Sequence, residues 1–257
     1  SAGSPTWLTT LFTLQLLRAT GIDPAEPAVG SAIARLESRL RWDDAPGCWD
    51  LRPAAPGGHP YFEGEEEPCI NGGVLALGGY FGHPSENLTR RLLGEQLADG
   101  GWNCEAPKSQ RSSYHTTICV LEGLVATERA LGPAHALGAA IGAARRRAEE
   151  YLLQRSLFRR LSTGEAADPS FLQFAFPPRY VYNVLRALDY FREAGWLPDP
   201  RMREAIRIVR ERQSGDGRWI LDATHNESLA FPFHESPGEP SRWITLLALR
   251  VLRWAEG

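Results

Sequence analysis

Gln96 to Gly123 reads QLADGGWNCEAPKSQRSSYHTTICVLEG. The stretch divides into the end of one helix, a Gly-Gly-Trp turn, a polar loop and the start of a second helix. Gln96, Gly100, Gly101 and Trp102 form the pattern Q-x-x-x-G-G-W, and Gln213, Gly215, Gly217 and Trp219 repeat it in QSGDGRW. The glycines stop a helix and supply backbone conformations that other residues resist. The tryptophan brings a large apolar plane with one N–H to satisfy. The glutamine amide can bond backbone groups at a neighbouring helix end. Trp102 and Trp219 are therefore read as packing residues and not as a substrate cage. RWDDAPGCWD, with Gly47 and Trp49, reads as a degenerate third copy at the end of another amphipathic helix.

Outward from this stretch, apolar and amphipathic helices alternate. Residues 6–20, TWLTTLFTLQLLRAT, are nearly all apolar and contain no acid, the pattern of a buried helix. Residues 28–41 set Ile33, Leu36 and Leu40 at helical spacing among charges, an amphipathic helix. A long loop, 50–68, rich in Pro and Gly, carries Glu63, Glu65, Glu66 and Glu67. The next apolar helix, 69–82, holds four internal glycines, which close helix packing or a cavity would explain. Ser85 caps an amphipathic helix with Leu88, Leu92, Leu93 and Leu97 on one face. Further apolar helices are expected from Tyr114, from Tyr180 to Glu193, and after a Ser241 cap. Further amphipathic ones are expected near 134–154 and after Asp199-Pro200. The five apolar helices thus start near Trp7, Cys69, Tyr114, Tyr180 and Trp243, most of them roughly 60 residues apart.

Both the motif and the alternation resemble the α/α toroids, the fold of triterpene (squalene) cyclases and protein prenyltransferase β-subunits. The resemblance implies an all-α barrel with about five inner and four outer helices, in one domain over residues 5–257. An open array would expose its two end helices, and closing the ring buries both. Such toroids usually have six hairpins, so this one would be small or shortened at its N-terminus. The opening Ser1-Ala2-Gly3-Ser4 looks like a cloning scar and is left out of the fold.

The resemblance stops short of a reaction. No D-x-D-D run, the proton donor of triterpene cyclases, occurs; Arg41-Trp42-Asp43-Asp44 lacks the first Asp. The D-D-x-x-D magnesium motif is also missing. Prenyltransferases hold zinc with D-x-C at one inner-helix start and a His at a later one. Glu67-Pro68-Cys69 and His115 occupy similar places here, so the resemblance implies a zinc site of Glu67, Cys69 and His115. The alternative reading of Cys69 is a small buried residue, and those of His115 are a metal-free general acid/base and a hydrogen-bonded wall residue.

Composition limits the remaining functions. Of 257 residues 43% are hydrophobic, enough for a large core, and the net charge of -3 gives no sign of a nucleic-acid binder. Four cysteines without a C-x-x-C pair fit a reducing compartment, so a cytoplasmic location is expected, with two disulfides as the alternative. No apolar run reaches the roughly 20 residues of a membrane-spanning helix. Serine-hydrolase, nucleotide-triphosphatase and dinucleotide motifs are missing from the sequence.

In a toroid the inner-helix starts meet at one mouth. Trp7, Cys69, Tyr114, Tyr180, Tyr182, His234 and Trp243 are accordingly expected to line a pocket for an apolar or isoprenoid-like small molecule, or to be plain barrel core. His115, with Asp222, His225 and Glu227 of the loop 220–240, would supply acid/base chemistry there. Two alternatives stand beside this enzyme: a non-catalytic small-molecule or peptide-binding toroid, and a zinc-dependent enzyme.

Overall fold

Extended backbone at Ser85, Ser113 and Ser241 places a hydroxyl to accept the Leu88, Thr116 and Ile244 N–H groups, and each serine starts a helix. These helices belong to an alternating series in a computed structural model that describes residues 6–43, 47–50, 58–225 and 234–257, with side chains described from Thr10 and not at 48–50. Among the described residues the protein is mostly helical, 55%, with nine α-helices. It is an all-α protein.

The helices are α1 (Thr6–Ala19), α2 (Pro27–Arg39), α3 (Pro68–Phe81), α4 (Glu86–Gly94), α5 (Tyr114–Leu131), α6 (Gly138–Leu153), α7 (Val184–Glu193), α8 (Arg203–Glu211) and α9 (Arg242–Glu256). They fall where the sequence leads one to expect five apolar and four amphipathic helices, but α7 and α9 are amphipathic instead of apolar: α7 carries Arg186, Asp189, Arg192 and Glu193, and α9 leaves Leu246 and Leu249 exposed. Two starts move: helix is expected near 134 and from Tyr180, but α6 begins at Gly138 and α7 at Val184. Asn183 is extended there and its side-chain oxygen accepts the Arg186 N–H at 2.9 Å, which makes it the cap.

The segment after α2 departs from the expected helix-end turn. Arg41–Asp43 (β1) pairs antiparallel with Cys48–Asp50 (β2), Trp42 opposite Trp49, and on its other edge with His59–Pro60 (β3). Trp42 is buried, as alternation in a half-covered strand requires. Trp219–Ile220 (β4) and Pro240–Ser241 (β5) form a second small antiparallel pair.

Contacts gather the described residues into two compact units, one running to Ala148 and one from Glu149 onward. In the first, α3 packs along α5. A Cβ added at Gly72 would lie 2.5 Å from the Cys119 carbonyl oxygen, and one at Gly79 would lie 2.6 Å from that of Ala126. Two of the glycines in α3 thus let the backbones touch, and close packing is what they serve. Leu11, Phe12, Leu14 and Leu16 of α1 and Val74, Leu75 and Leu77 of α3 complete the core. In the second unit α9 packs against α7 and α8 around Leu188, Phe191, Val209, Ile244 and Val251. No helix among the described residues is long and apolar enough to cross a membrane.

Candidate metal centre

The turn that ends α4 fixes the loop on which the site depends. The Trp102 indole N–H donates to the Leu92 carbonyl at 2.7 Å, and its backbone N–H to the Thr117 hydroxyl at 3.1 Å. Gln96 donates to the carbonyls of Gly100, 2.5 Å, and Ala144, 2.8 Å, tying the turn to α6. Gly100 has φ +103°, and a Cβ on it would lie 2.6 Å from the Arg147 carbonyl oxygen, so the turn needs glycine there. The loop that follows is closed by its own polar groups. Asn103 accepts the Glu105 N–H at 2.9 Å and donates to the Arg111 carbonyl at 2.7 Å, while Asp99 accepts the Ser112 N–H at 3.0 Å. Cys104 is held within it.

The start of α3 is equally well braced. Glu67 is the residue before the helix, Pro68 its first residue and Cys69 its second. Asn71, fully buried, accepts the Glu65 N–H and donates to the Glu65 carbonyl, both at 2.7 Å. The buried Glu65 carboxyl accepts the Glu67 N–H at 2.7 Å, and Arg91 donates to the Glu66 carbonyl at 3.1 Å.

Between these two braced segments the ligand atoms of Glu67, Cys69 and Cys104 all lie within 4.8 Å of one another, the one such group of three among the described residues. The Cys69 thiol points to the Glu67 carboxylate at 3.6 Å. Cys104 Sγ lies 3.4 Å from the hydroxyl of buried Thr116. Cys69 and Cys104 are half-buried and reduced. The hydrogen bond from Cys69, helped by Thr116, lowers the Cys104 thiol to about 7 against the effect of burial. That same bond, with burial, holds Cys69 protonated.

Two soft thiolates and a carboxylate are a donor set that zinc accepts, with one position left over. Tetrahedral zinc separates neighbouring ligand atoms by roughly 3.5–4 Å; Glu67 and Cys69 meet that spacing, and the Cys104 sulfur lies within 4.8 Å of both.

The sequence pointed to Glu67 and Cys69, and it pointed to His115 as their third partner. His115 is not a member of the group; Cys104 takes that place. His115 is the second residue of α5 and half-buried, and the hydroxyl beside the Cys104 sulfur is that of the next residue, Thr116.

The remaining expected site residues scatter in role. Asp222 accepts from the Phe174 N–H at 2.5 Å and pairs with Arg212 at 2.6 Å, so it braces a loop. Tyr182 is fully buried, donates to the Leu157 carbonyl and packs edge-on to Phe171, which makes it core. Tyr180 is exposed, and Tyr114 is buried at the start of α5. Trp243 stacks on Phe176 at 5.4 Å. His234 is exposed beside a groove shared with Glu235, Arg242, Leu246 and Leu249. Glu235 itself accepts from Ser241 and from the Arg242 N–H at the start of α9. His225 is half-buried at the end of a described segment. Glu227 and the Trp7 side chain lie outside the described residues.

Cys104 was missed because nothing in its immediate sequence marks it. Comparing the two motif copies could have found it: two residues after the tryptophan, one copy has Cys104 and the other Leu221, a fully buried residue. Compared with models of known families, with curated proteins and with solved structures, the chain matches none.

Proposed function

We propose that the chain is a small α/α toroid and a zinc-dependent enzyme, its metal held by Glu67, Cys69 and Cys104. The observation that carries this reading is the convergence of those three donors within 4.8 Å on two independently braced segments. The toroid reading is supported by the succession of nine helices among the described residues and by the matching tryptophan hydrogen bonds of the two Gln-Gly-Trp turns. The substrate class, an apolar or isoprenoid-like small molecule, rests on resemblance of fold, which supports function only weakly.

A zinc ion with three protein ligands supplies Lewis acidity at its fourth position, where it lowers the pKa of a bound water or thiol. The protein's part is positional. Glu65 and Asn71 hold the Glu67 backbone, α3 fixes Cys69, and the Thr116 hydroxyl hydrogen-bonds the Cys104 sulfur. A reducing compartment such as the cytoplasm suits a site that needs both sulfurs as thiolates.

Metal analysis of the purified protein tests the reading. We expect one equivalent of zinc, and cobalt substitution should add thiolate-to-metal charge-transfer absorption. Less than a tenth of an equivalent after zinc loading and dialysis would sink it.

One observation favours a second reading over acid/base chemistry at a barrel mouth. Asp222 is already engaged by Arg212 and the Phe174 N–H, so a toroid without metal is better read as a non-catalytic binder. Lipid extracted in stoichiometric amount from metal-free protein would support that reading.

A further inference from the structure

We propose that Cys69 and Cys104 form a reversible disulfide under peroxide, and that its formation dismantles the zinc site. The inference concerns the regulation of that site and rests, for its effect on metal, on the zinc reading above. Three features carry it. The two sulfurs lie within 4.8 Å, on elements separated in sequence but each braced by its own hydrogen bonds. Both thiols are half-buried, so a molecule as small as hydrogen peroxide reaches them, whereas Cys119 is buried on α5. Cys104 sits on a loop and Cys69 in the first turn of a helix, so the loop side chain can swing while the helix stays still. The sulfurs need to close to about 2.05 Å.

The chemistry balances with hydrogen peroxide as oxidant. The Cys104 thiolate attacks one peroxide oxygen; the O–O bond breaks, hydroxide leaves and a sulfenic acid forms. The Cys69 sulfur then attacks the Cys104 sulfur, the S–O bond breaks and a second hydroxide leaves. Two thiolates lose two electrons, peroxide gains them, and two protons complete two waters. Of the three zinc ligands only Glu67 then remains, and one carboxylate does not retain the ion. A thiol reductant reverses the step.

The test uses the full chain, zinc-loaded and metal-free in parallel, treated with stoichiometric hydrogen peroxide. Intact mass and peptide mapping follow the thiols, and a chromogenic chelator follows the zinc. We expect a loss of two hydrogens, a peptide cross-link between Cys69 and Cys104, release of about one zinc per disulfide, and recovery of both with dithiothreitol. Cys119→Ala should behave like the parent protein, and Cys104→Ser should give no cross-link. A cross-link of Cys69 to Cys119 or Cys48, or oxidation to sulfinic acid without a cross-link, would overturn the proposal. The parallel arms separate the two readings. Cross-linking in metal-free protein that never binds zinc removes the zinc reading alone. Stoichiometric zinc without a Cys69–Cys104 cross-link removes the switch alone.

Discussion

Trp102 and Trp219 make the same two hydrogen bonds. Each indole N–H donates at 2.7 Å to a carbonyl ten residues earlier, Leu92 in one case and Val209 in the other. Each backbone N–H donates at 3.1 Å to a threonine hydroxyl in the next apolar helix, Thr117 or Thr245. The glutamines agree as well: Gln96 donates to the Gly100 carbonyl and Gln213 to that of Gly217. Two hairpins of the chain therefore close by one atomic plan. The loop between tryptophan and threonine varies, 15 residues of separation in the first and 26 in the second. The conserved part of the plan is scaffold, and the loop is where each hairpin differs.

Both tryptophans are fully buried, so losing the indole N–H strands a buried carbonyl. Trp102→Phe and Trp219→Phe should each destabilise the fold by about 2–4 kcal/mol. Thr117→Val and Thr245→Val leave a buried N–H without its acceptor and should cost about 1–3 kcal/mol each. Urea denaturation followed by circular dichroism checks this. Changes within about 0.5 kcal/mol would show that the turns do not depend on these bonds.

The glycines of α3 allow a sharper prediction. At Gly72 and Gly79 the obstacle to a methyl group is the backbone of α5, which has no side chain to swing away. Gly72→Ala and Gly79→Ala should each cost more than about 3 kcal/mol, even though alanine is the better helix former by about 1 kcal/mol. Gly73 faces the end of the Gln15 side chain instead, so Gly73→Ala should be far milder. Equal costs at all three positions would refute the packing account.

Much of the fold was legible because helix period and capping are local. Ser85, Ser113 and Ser241 each precede a helix whose pattern is clear, and all three cap it. Strand pairing is not local. Arg41–Asp43 extends the pattern of α2, and only its partners Cys48–Asp50 and His59–Pro60 turn it into a strand. The site divides in the same way. Glu67 and Cys69 are two residues apart and could be read together. Cys104 joins them only because α3 packs on α5 and the Trp102 turn carries the loop back. His115 is the expected third ligand on the resemblance to prenyltransferases, which carry a zinc-binding histidine at a later inner-helix start; the three donors that converge include Cys104 instead.

Glu65 gives a pH prediction. Burial, the largest influence, pushes its carboxyl up from 4.5 to about 7, against the opposing hydrogen bond from the Glu67 N–H. A raised folded value means that the folded state holds the proton more tightly. The stability gained from that proton is complete below about 4.5 and is lost as pH rises through about 7. Glu65→Gln keeps the oxygen that accepts the Glu67 N–H and removes the titration. In chelator-treated protein, the variant and the parent should unfold at similar urea concentrations at pH 5. At pH 8 the variant should be the more stable. A constant difference across that range would contradict the assignment.

The metal ligands can be told apart from their neighbours by titration with a competing chelator. Glu67→Gln, Cys69→Ser and Cys104→Ser each remove a proposed donor, and each should weaken zinc binding by more than about 100-fold, beyond what an outer-shell partner contributes. Thr116→Val removes only the hydroxyl beside the Cys104 sulfur and should weaken binding by about 10-fold. His115→Ala should leave zinc stoichiometry and affinity unchanged, because His115 is outside the group of three. The comparison of Cys104→Ser with His115→Ala is decisive, since the two readings differ in which of these residues is the third ligand. Loss of zinc in the histidine variant with retention in the serine variant would return the site to Glu67, Cys69 and His115. The reverse pattern fixes Cys104 as the third ligand and ties the variable loop of this hairpin to its chemistry.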